Sequence, residues 1–568
     1  MFLQSMHTPQ KVIETLERMG ISVSVNAIHA SLLATYAYDN FDVDLKTHEH
    51  KIENSTEYLK HLTSGLMFPL QHNISKEDLR CSEELWKMSP FNTRAELPPK
   101  KGWVDLLVLH VNTPDDAIEA IPITKMPIIA TSAMDISNST VIGNIQSIVN
   151  LLEQGRIRGP AVVDDPDMPD ISEYVVLFHG DLGTGERLQS AQQRQSIENT
   201  LWNRLQHVIF IPGLFHLKMA ATDTIWRIFL QPNAAQLDET SLMRDIGILR
   251  PKETGHYGSK PGFRHMHELI MHDGICRRLD CWRVEVQAGK HDPKWTSLEE
   301  FAASKPTLKD IEAIARTLAR DYVAGHQLQR MRCIPAAQRD VQYENGLLLN
   351  RYVLIYEELS YAMNTGDIRW VETCLVTWIP MFKATGKHKY ANIMTDFLCK
   401  VHFVYPEGLK RAVRYDIMVN PTGKKGKFRG VDWCVELNNL FTKVINGGKG
   451  SNHTVPRIIM ESPLIQIYRN LHTMFQNDFL HTHKTTQHGE ANMSKTFQIL
   501  CGHMSKHSVN EVVNGRGSHH SIPDILAKGQ ELMEKSSMDN KDGEQEAAVG
   551  EGEDECPSVD DVAVELVW

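Results

Sequence analysis

The sequence of 568 residues lacks the features of membrane and secreted proteins. It has no run of about 18 apolar residues, the length that a membrane-spanning helix needs. Residues 1–10 contain no apolar core of a signal peptide. The nine cysteines are scattered without a Cys-x-x-Cys pair, a pattern typical of a reducing compartment. We therefore expect an intracellular protein with no membrane partner.

An excess of positive charge is absent too. The net charge is −11, but residues 537–568 hold eleven acidic side chains and a single lysine, which leaves the rest of the chain at −1. Because the rest of the chain is nearly neutral, its net charge does not indicate nucleic-acid binding. Such binding would need a local basic patch. We predict that residues 531–568 form a disordered acidic tail, which offers a binding surface to basic partners.

Phosphate-binding loops of the GxxxxGK[ST] type and repeats at solenoid periods are absent as well. The one dense basic stretch lies at 420–429, and its bases are Lys424, Lys425, Lys427 and Arg429. Two interpretations fit it. It is either a solvated loop or a glycine-loosened loop whose bases contact a nucleic-acid backbone.

An apolar run that leads to an aspartate is the most informative pattern in the chain. Residues 175–178 are apolar and are followed by His-Gly and then Asp181, which indicates a buried strand with a carboxylate just past its end. A helical pattern over 186–205, a second apolar run over 207–211 and a further helix from Phe215 come next. This alternation predicts an α/β fold, in which functional groups collect at the carboxyl ends of the strands.

A similar pattern lies earlier in the chain. Residues 32–38 have the composition of a strand, and Asp39 follows them as Asp181 follows its own strand. If this strand continued, Asp42 and Asp44 would share one face, because side chains alternate along a strand. The alternative is a solvated turn rich in acidic residues.

The remaining segments predict a helix-rich chain. Residues 103–111 and 126–130 have the pattern of strands, and 141–154 that of a helix. We divide the chain into a helical hairpin with the outline of a helix-turn-helix at 1–33, the first part of an α/β core at 34–222, an all-helical insertion at 223–421, the end of the core with His-rich helices at 422–530, and the tail at 531–568.

Three acidic residues stand out. Glu436 lies in a predicted helix with Asp432 and Asn439, and residues three and four apart share a helix face. With Asp39 and Asp181, Glu436 could hold two Mg²⁺ or Mn²⁺ ions, because hard divalent ions prefer carboxylate oxygens. Two such ions stabilise the attacking and the leaving oxygen in phosphoryl transfer. The chain has 71 acidic residues, so spacing alone does not single out this triple.

Histidines are dense over 471–520. His503 and His507 lie four apart on a predicted helix, a spacing that would suit zinc. No glutamate lies between them in the HExxH manner, which favours side chains on an ordinary helix surface.

Five segments resemble a large, uncharacterised fungal domain family with relatives in animals. They are YDNFD at 38–42, HGDLGT at 179–184, PGLFHLKM at 212–219, TGKHKY at 385–390 and VDWCVELNN at 431–439. The order of these segments is in turn similar to that of DDE transposases of the Mutator-like and hAT types. Such proteins have an RNase H-like mixed sheet interrupted by a large all-helical insertion.

The resemblance implies a site. Asp39, Asp181 and Glu436 would be the catalytic metal ligands, and His216 would be a structural neighbour of the second strand, at 207–211. The supporting residues would be Asp42, His216, Asp432 and Asn439. The sequence departs from the transposase pattern at Gly213, where those proteins have the cysteine of a Cys-x-x-His pair, so a metal-binding role for His216 does not follow.

Two hypotheses of different classes follow. The first is a transposase-derived, metal-dependent DNA nuclease or strand-transferase, with DNA as its partner, a nuclear location and a basic loop on the DNA backbone. The alternative is a catalytically inactive, domesticated scaffold that binds nucleic acid or protein. A homo-oligomer is compatible with either hypothesis.

Overall fold

The computed structural model describes residues 33–45, 59–157, 159, 171–446, 454–475 and 492–539, apart from 96, 98, 112–117, 288 and 290. The hairpin predicted at 1–33 lies outside the described residues, except for Leu33. Within these ranges, each helix is either too short or too polar to cross a membrane.

A mixed sheet of five strands forms the centre of the fold. The strands are β1 Ala34–Asp44, β2 Leu59–Pro69, β3 Ile129–Ala130, β4 Val176–Gly180 and β5 Val208–Pro212. They lie in the order β3-β2-β1-β4-β5. β2 is antiparallel to both β1 and β3, whereas β4 is parallel to both β1 and β5. A second, two-stranded sheet pairs β6 Met418–Val419 with β7 Arg429–Gly430.

Helices account for most of the other described residues. In chain order they are α1 Lys76–Leu79, α2 Ser82–Lys87, α3 Trp103–Val111, α4 Val141–Gln154, α5 Leu182–Gln195, α6 Leu214–Phe229, α7 Leu242–Leu249, α8 Thr254–Gly258, α9 Phe263–Gln287, α10 Leu298–Ala303, α11 Leu308–Asp321, α12 His326–Arg332, α13 Val341–Thr365, α14 Ile368–Ala384, α15 His388–Phe403, α16 Glu407–Asp416, α17 Val431–Asn446, α18 Val455–Glu461, α19 Ile465–Met474, α20 Ser494–Lys506 and α21 Ile525–Asp539.

The two faces of β1 are covered by different helices. Tyr36 and Tyr38 pack with Phe178 of β4 in a cluster that includes α4 and α5. Ala37 faces the other way, into a cluster with α6 and α17. Asp39 has the same parity as Ala37 along the strand, so its side chain lies on the α17 side of the sheet.

Several predictions of local structure are confirmed. The apolar runs at 175–178 and 207–211 form β4 and β5, and the helix at 141–154 is α4. The combination of a small mixed sheet with many helices confirms the predicted helix-rich α/β class in its general form. The helix predicted at 186–205 starts earlier, because Asp181 caps its first turn. It ends at Gln195.

The strand predicted at 103–111 is wrong, because these residues form α3. A continuous apolar run does not by itself distinguish a buried strand from a buried helix. The backbone amide of Gly102 donates to the Asp105 carboxylate at 2.9 Å, which satisfies a donor at the start of the helix. Trp103 and Leu106 are buried and the Trp103 indole donates to the carbonyl of Val376, so packing against α14 decides the outcome.

Strand β2 was not predicted. Its sequence, LKHLTSGLMFP, contains a glycine, Gly65, that weakens the strand pattern. A Cβ at Gly65 would lie 2.4 Å from a methyl group of Leu151 on α4, so the close approach of this helix requires glycine. Of the strand predicted at 126–130, only β3 is formed.

The chain between β5 and β6 is helical, and we call α7 to α16 the insertion. Every described element from 233 to 416 is helical, but the predicted boundary at 223 falls inside α6. The last two described helices pack on this insertion: α20 lies against α7 and α9, and α21 lies against α14. The first residues of the predicted acidic tail, up to Asp539, belong to α21.

A buried arginine joins two helices of the insertion. Arg277 on α9 donates to Asp273 one turn earlier at 2.8 Å and to Asp245 on α7. The exposed fraction of the Arg277 side chain is 1%, and both carboxylates are fully buried. A third bond, from Arg277 to the carbonyl of Thr240, holds the start of α7 against α9.

Candidate functional site

The two predicted aspartates lie side by side. Ala37 of β1 pairs with His179 of the parallel strand β4, so Asp39 and Asp181 are neighbours two residues further along. Adjacent strands are about 4.8 Å apart. The prediction that Asp39 ends its strand is wrong, because Asp39 lies in the middle of β1. Asp181 directly follows β4 and caps α5 by accepting the amide of Thr184 at 2.6 Å.

Glu436 reaches the same place from across the sheet. It lies on α17, which packs on β1 and β2, and its side chain is buried. Its carboxylate contacts that of Asp39. The structure therefore brings together Asp39, Asp181 and Glu436, which come from three separate elements. Asp39 and Asp181 line a small cleft of about 10 Å³, and Glu436 reaches it through its contact with Asp39. The other lining residues are Tyr38, His179, Gly180, His216, Asp432 and Val435.

The electrostatics of the cleft are those of crowded acids. Burial raises the pKa of Asp39 well above its ordinary value, and the nearby charges of Glu436 and Asp181 raise it further. Carboxylates at such short range repel one another unless a proton or a cation is among them. His179, which also lines the cleft, is kept neutral, because burial lowers its pKa to about 3.

One protein cation lies beside these acids. The His216 Nδ1 is 3.0 Å from Asp432 Oδ2, and its Nε2 is 3.3 Å from Glu436 Oε1. Although burial disfavours the charged imidazole, bonding to Asp432 and Glu436 raises the pKa of His216 well above its ordinary value. Both ring nitrogens face carboxylates, so His216 acts here as a charge partner of the two acids.

Asp432 holds α6 against α17. Its carboxylate accepts the backbone amides of Phe215 and His216 at 3.1 and 2.9 Å, at the start of α6. A negative charge is favourable there because helix N-termini expose free amides. Gly213 precedes this helix, and a Cβ on it would lie 2.3 Å from Asp432 Oδ2. Gly213 is the residue that departs from the Cys-x-x-His pattern. The carboxylate of Asp432 occupies the space that a side chain at this position would need.

We expect Gly213→Ala to destabilise the protein by about 1–3 kcal/mol, the usual cost of overpacking a tight site. Chemical denaturation would measure the loss. Gly247→Ala is the matched control, because Gly247 is an exposed glycine inside α7, and no atom lies within 4 Å of the position that its Cβ would take. That change should stabilise the protein by about 0.5–1 kcal/mol, as alanine does in helices. Equal effects of the two substitutions would contradict this explanation of Gly213.

Asn439 anchors the third turn of α17 to the sheet. It accepts a hydrogen bond from Ser64 of β2 and donates to the carbonyl of Asn40 at 3.4 Å. Asp432, Glu436 and Asn439 therefore do share one helix face, as predicted, and that face lies on the sheet. Asn439 positions Glu436 beside Asp39 rather than lining the cleft itself.

Two predicted site residues lie elsewhere. Asp42 is exposed, has the opposite parity to Asp39 on β1, and its Oδ1 is 2.7 Å from His61 Nδ1. Arg429 is buried, donates to Asn364 at 2.9 Å and stacks near the ring of Trp433. Arg429 is therefore a packing residue at the start of α17, and the prediction that it contacts nucleic acid is wrong.

The other bases of the predicted loop are accessible. Lys424 and Lys425 are exposed and Lys427 is half-buried. They lie between β6 and β7, and β7 runs directly into α17. The loop is thus close in sequence to Asp432, which lines the cleft.

The segment TGKHKY at 385–390 contributes contacts that sequence reasoning did not assign. Lys387 bonds to Asp223 of α6 at 2.7 Å, and Lys389 bonds to Glu186 of α5 at 3.1 Å. The Tyr390 hydroxyl donates to the carbonyl of His216 at 3.4 Å. The insertion therefore packs directly behind the two helices that follow β4 and β5. The only sequence signal for this was the segment's presence among the five motifs.

A comparison with known families found one match. The family of unknown function DUF6589 matches residues 94–488, more than half of the chain. The chain belongs to this family. The match contains Asp181 and Glu436 but begins after β1, so Asp39 lies outside it. No curated protein and no solved structure matches the chain. Membership of a family of unknown function is thereby confirmed, and the likeness of this DUF6589 protein to transposases stays a prediction.

Proposed function

We propose that this protein cleaves or joins DNA phosphodiesters with two Mg²⁺ or Mn²⁺ ions held by Asp39, Asp181 and Glu436. The observation that carries the proposal is the meeting of these three carboxylates, which lie up to about 400 residues apart in the chain, at one cleft. A chance meeting would be costly, because buried acids without a partner destabilise a fold.

The strand arrangement supports an RNase H-like core. The sheet has three antiparallel strands followed by two parallel ones, in the order β3-β2-β1-β4-β5. This is the arrangement expected for that fold. One aspartate on the central strand β1 and a second at the end of the adjacent β4 also fit it. The helical insertion lies between β5 and the helix that carries Glu436, which is the predicted order.

The donor set fits hard divalent ions. It consists of carboxylate oxygens, which Mg²⁺ and Mn²⁺ prefer. Glu436 Oε1 is buried and, among the described residues, accepts no well-aligned hydrogen bond, although His216 Nε2 is 3.3 Å away. Within the described part of the chain, the three acids do not each offer an oxygen within 4.8 Å of the others. A single ion bound by all three acids would therefore require their side chains to move closer together.

The chain's own groups would have distinct tasks. Asp39, Asp181 and Glu436 would hold the ions. Ions bound there would activate a water molecule or a 3′-hydroxyl and stabilise the leaving oxygen. Asp432 and Asn439 hold α17 in place, and His216 neutralises part of the acidic charge.

The loop with Lys424, Lys425 and Lys427 is the candidate contact for the DNA backbone. Lysines on a flexible loop bind phosphates without reading sequence. We extend the proposal to a nuclear location, where DNA is the available substrate.

A second function has one observation in its favour. His216 already supplies a cation to Glu436 and Asp432, so part of the acidic cluster is neutralised without metal. Such a site can persist in a catalytically inactive scaffold that binds nucleic acid or protein. The two proposals differ in whether DNA is cut.

The test is cleavage of supercoiled plasmid and of single-stranded DNA by the purified full chain. We expect nicking or cutting with Mg²⁺ or Mn²⁺ and none with EDTA, with binding retained in Ca²⁺. DNA binding without cleavage in any of these metals would support the scaffold instead. Absence of both binding and cleavage would contradict the DNA proposal altogether.

A further inference from the structure

A second group of ligand-type side chains shares no residue with the acidic cleft. Glu239, His503 and His507 each offer one ligand atom, and these atoms all lie within 4.8 Å of one another. Among the described residues, no other group of three His, Cys, Asp or Glu side chains meets this 4.8 Å limit. The chain separation between Glu239 and His503 is 264 residues, so tertiary packing alone assembles the group.

The fold presents the two histidines together. His503 is in the last turn of α20, and His507 is the residue that ends this helix. Side chains four apart share a helix face, and the two rings are 4.4 Å apart between centroids. Glu239 lies two residues before Ser241, the residue that caps α7. Because α20 packs on α7 and α9, the histidines face the segment that carries Glu239.

The contacts already made by these side chains are weak and easily exchanged. His503 Nε2 is 3.1 Å from the backbone oxygen of Glu239, and Arg244 is 3.5 Å from the Glu239 carboxylate. The Glu239 and Arg244 side chains are 48% and 45% exposed, so their ion pair contributes little. Exchange of these contacts for a metal therefore costs little.

We propose that Glu239, His503 and His507 form a binding site for Zn²⁺ or a similar transition-metal ion. Two imidazoles and one carboxylate are a known zinc donor set, with water as the fourth ligand. Tetrahedral zinc with bonds of about 2.0 Å needs ligand atoms about 3.3 Å apart. The group therefore closes on a metal with shifts of about 1 Å at side chains that are exposed or half-buried.

The choice of zinc over magnesium follows from the donors. Imidazole nitrogen suits zinc, copper and nickel, whereas Mg²⁺ prefers an all-oxygen shell. The site is thus chemically distinct from the carboxylate cleft and does not depend on the proposed phosphodiester chemistry. Bound metal would link α20 to the segment before α7 and hold the C-terminal helices on the insertion.

The experiment uses the untagged full chain, stripped of metal with EDTA and titrated with Zn²⁺ against a chromophoric chelator. Co²⁺ serves as a second probe, because its visible spectrum reports tetrahedral nitrogen and oxygen ligation. We expect one tight equivalent and a rise of the melting temperature with Zn²⁺. The substitutions His503→Gln, His507→Gln and Glu239→Gln should each weaken binding by at least about tenfold.

His519→Gln is the matched control. His519 lies nearby, with its Nδ1 2.6 Å from Asp238, but is outside the group of three. The His519→Gln variant should bind Zn²⁺ as the unmodified protein does. The chain has 27 histidines, so weak binding elsewhere is expected, and the comparison between variants is what decides. The proposal is overturned if the unmodified protein shows only weak binding, if the His503 and His507 variants bind as tightly as it does, or if His519→Gln loses binding equally.

Discussion

Asp181→Asn is expected to abolish metal-dependent DNA cleavage, with a loss of at least about a hundredfold, while the fold stays intact. Removal of a ligand to catalytic ions costs several kcal/mol of transition-state stabilisation, and each 1.4 kcal/mol is about tenfold in rate. Asp181 also caps α5 by accepting the Thr184 amide. Asparagine caps helices as well as aspartate does, so this substitution separates the charge from the structural role. Plasmid nicking rates and thermal unfolding would measure the two effects.

The other two acids extend this prediction. Asp39→Asn and Glu436→Gln keep the shape of each side chain and should cause losses of similar size. Asp42→Asn is the matched control, because Asp42 lies on the same strand but is exposed on the opposite face. Cleavage that survives Asp181→Asn, or that Asp42→Asn impairs as much as Asp39→Asn does, would end the three-carboxylate proposal.

Arg277→Ala should have the largest effect on stability, a loss of about 3–5 kcal/mol. Arg277 is paired with two carboxylates, Asp245 and Asp273, that are fully buried. Removal of one partner from a buried ion pair leaves uncompensated charge in a low-dielectric interior, which is far costlier than the pair itself is favourable. Urea denaturation would give the difference in the free energy of unfolding.

The next residue in the chain provides the control. Arg278 pairs with Glu357 at 3.0 Å, but its side chain is 38% exposed. Arg278→Ala should cost less, about 1–2 kcal/mol, because this pair is only partly buried, with 38% of the Arg278 and 14% of the Glu357 side chain exposed. If the two substitutions cost the same, burial of the Arg277 network does not contribute to the stability of the α7–α9 contact.

The residues of the candidate site were predictable to different degrees. Asp181 and Glu436 were found because each lies in a strong local pattern, an apolar run closed by His-Gly-Asp and a helix with acids and an amide on one face. Asp39 was found by analogy with Asp181, but its place in mid-strand was not, since the strand continues through Asn40 and beyond. The pairing of His216 with Asp432 was missed, because the two residues are 216 positions apart in the chain.

The errors share a cause. Residues 103–111 carry apolar side chains on every side, so only the burial of Trp103 and Leu106 against the insertion selects a helix. Gly65 weakened the strand pattern of β2, so this strand was not predicted. The close contact that favours glycine there is with Leu151 of α4, which only the structure shows. Arg429 was assigned to DNA on charge alone, although its burial beside Trp433 depends on how β7 enters α17.

By itself, the amino-acid sequence determined the helix-rich α/β class, the strand β4 with Asp181 just past its end, and the shared face of α17, because each of these depends on patterns within short stretches of the chain. Only the tertiary structure decided which acids meet, that His216 lies among them, and that Glu239 joins two histidines 264 or more residues later in the chain. The physical reason is distance along the polymer: these groups interact only after the sheet and the insertion have packed, and no local pattern records that packing.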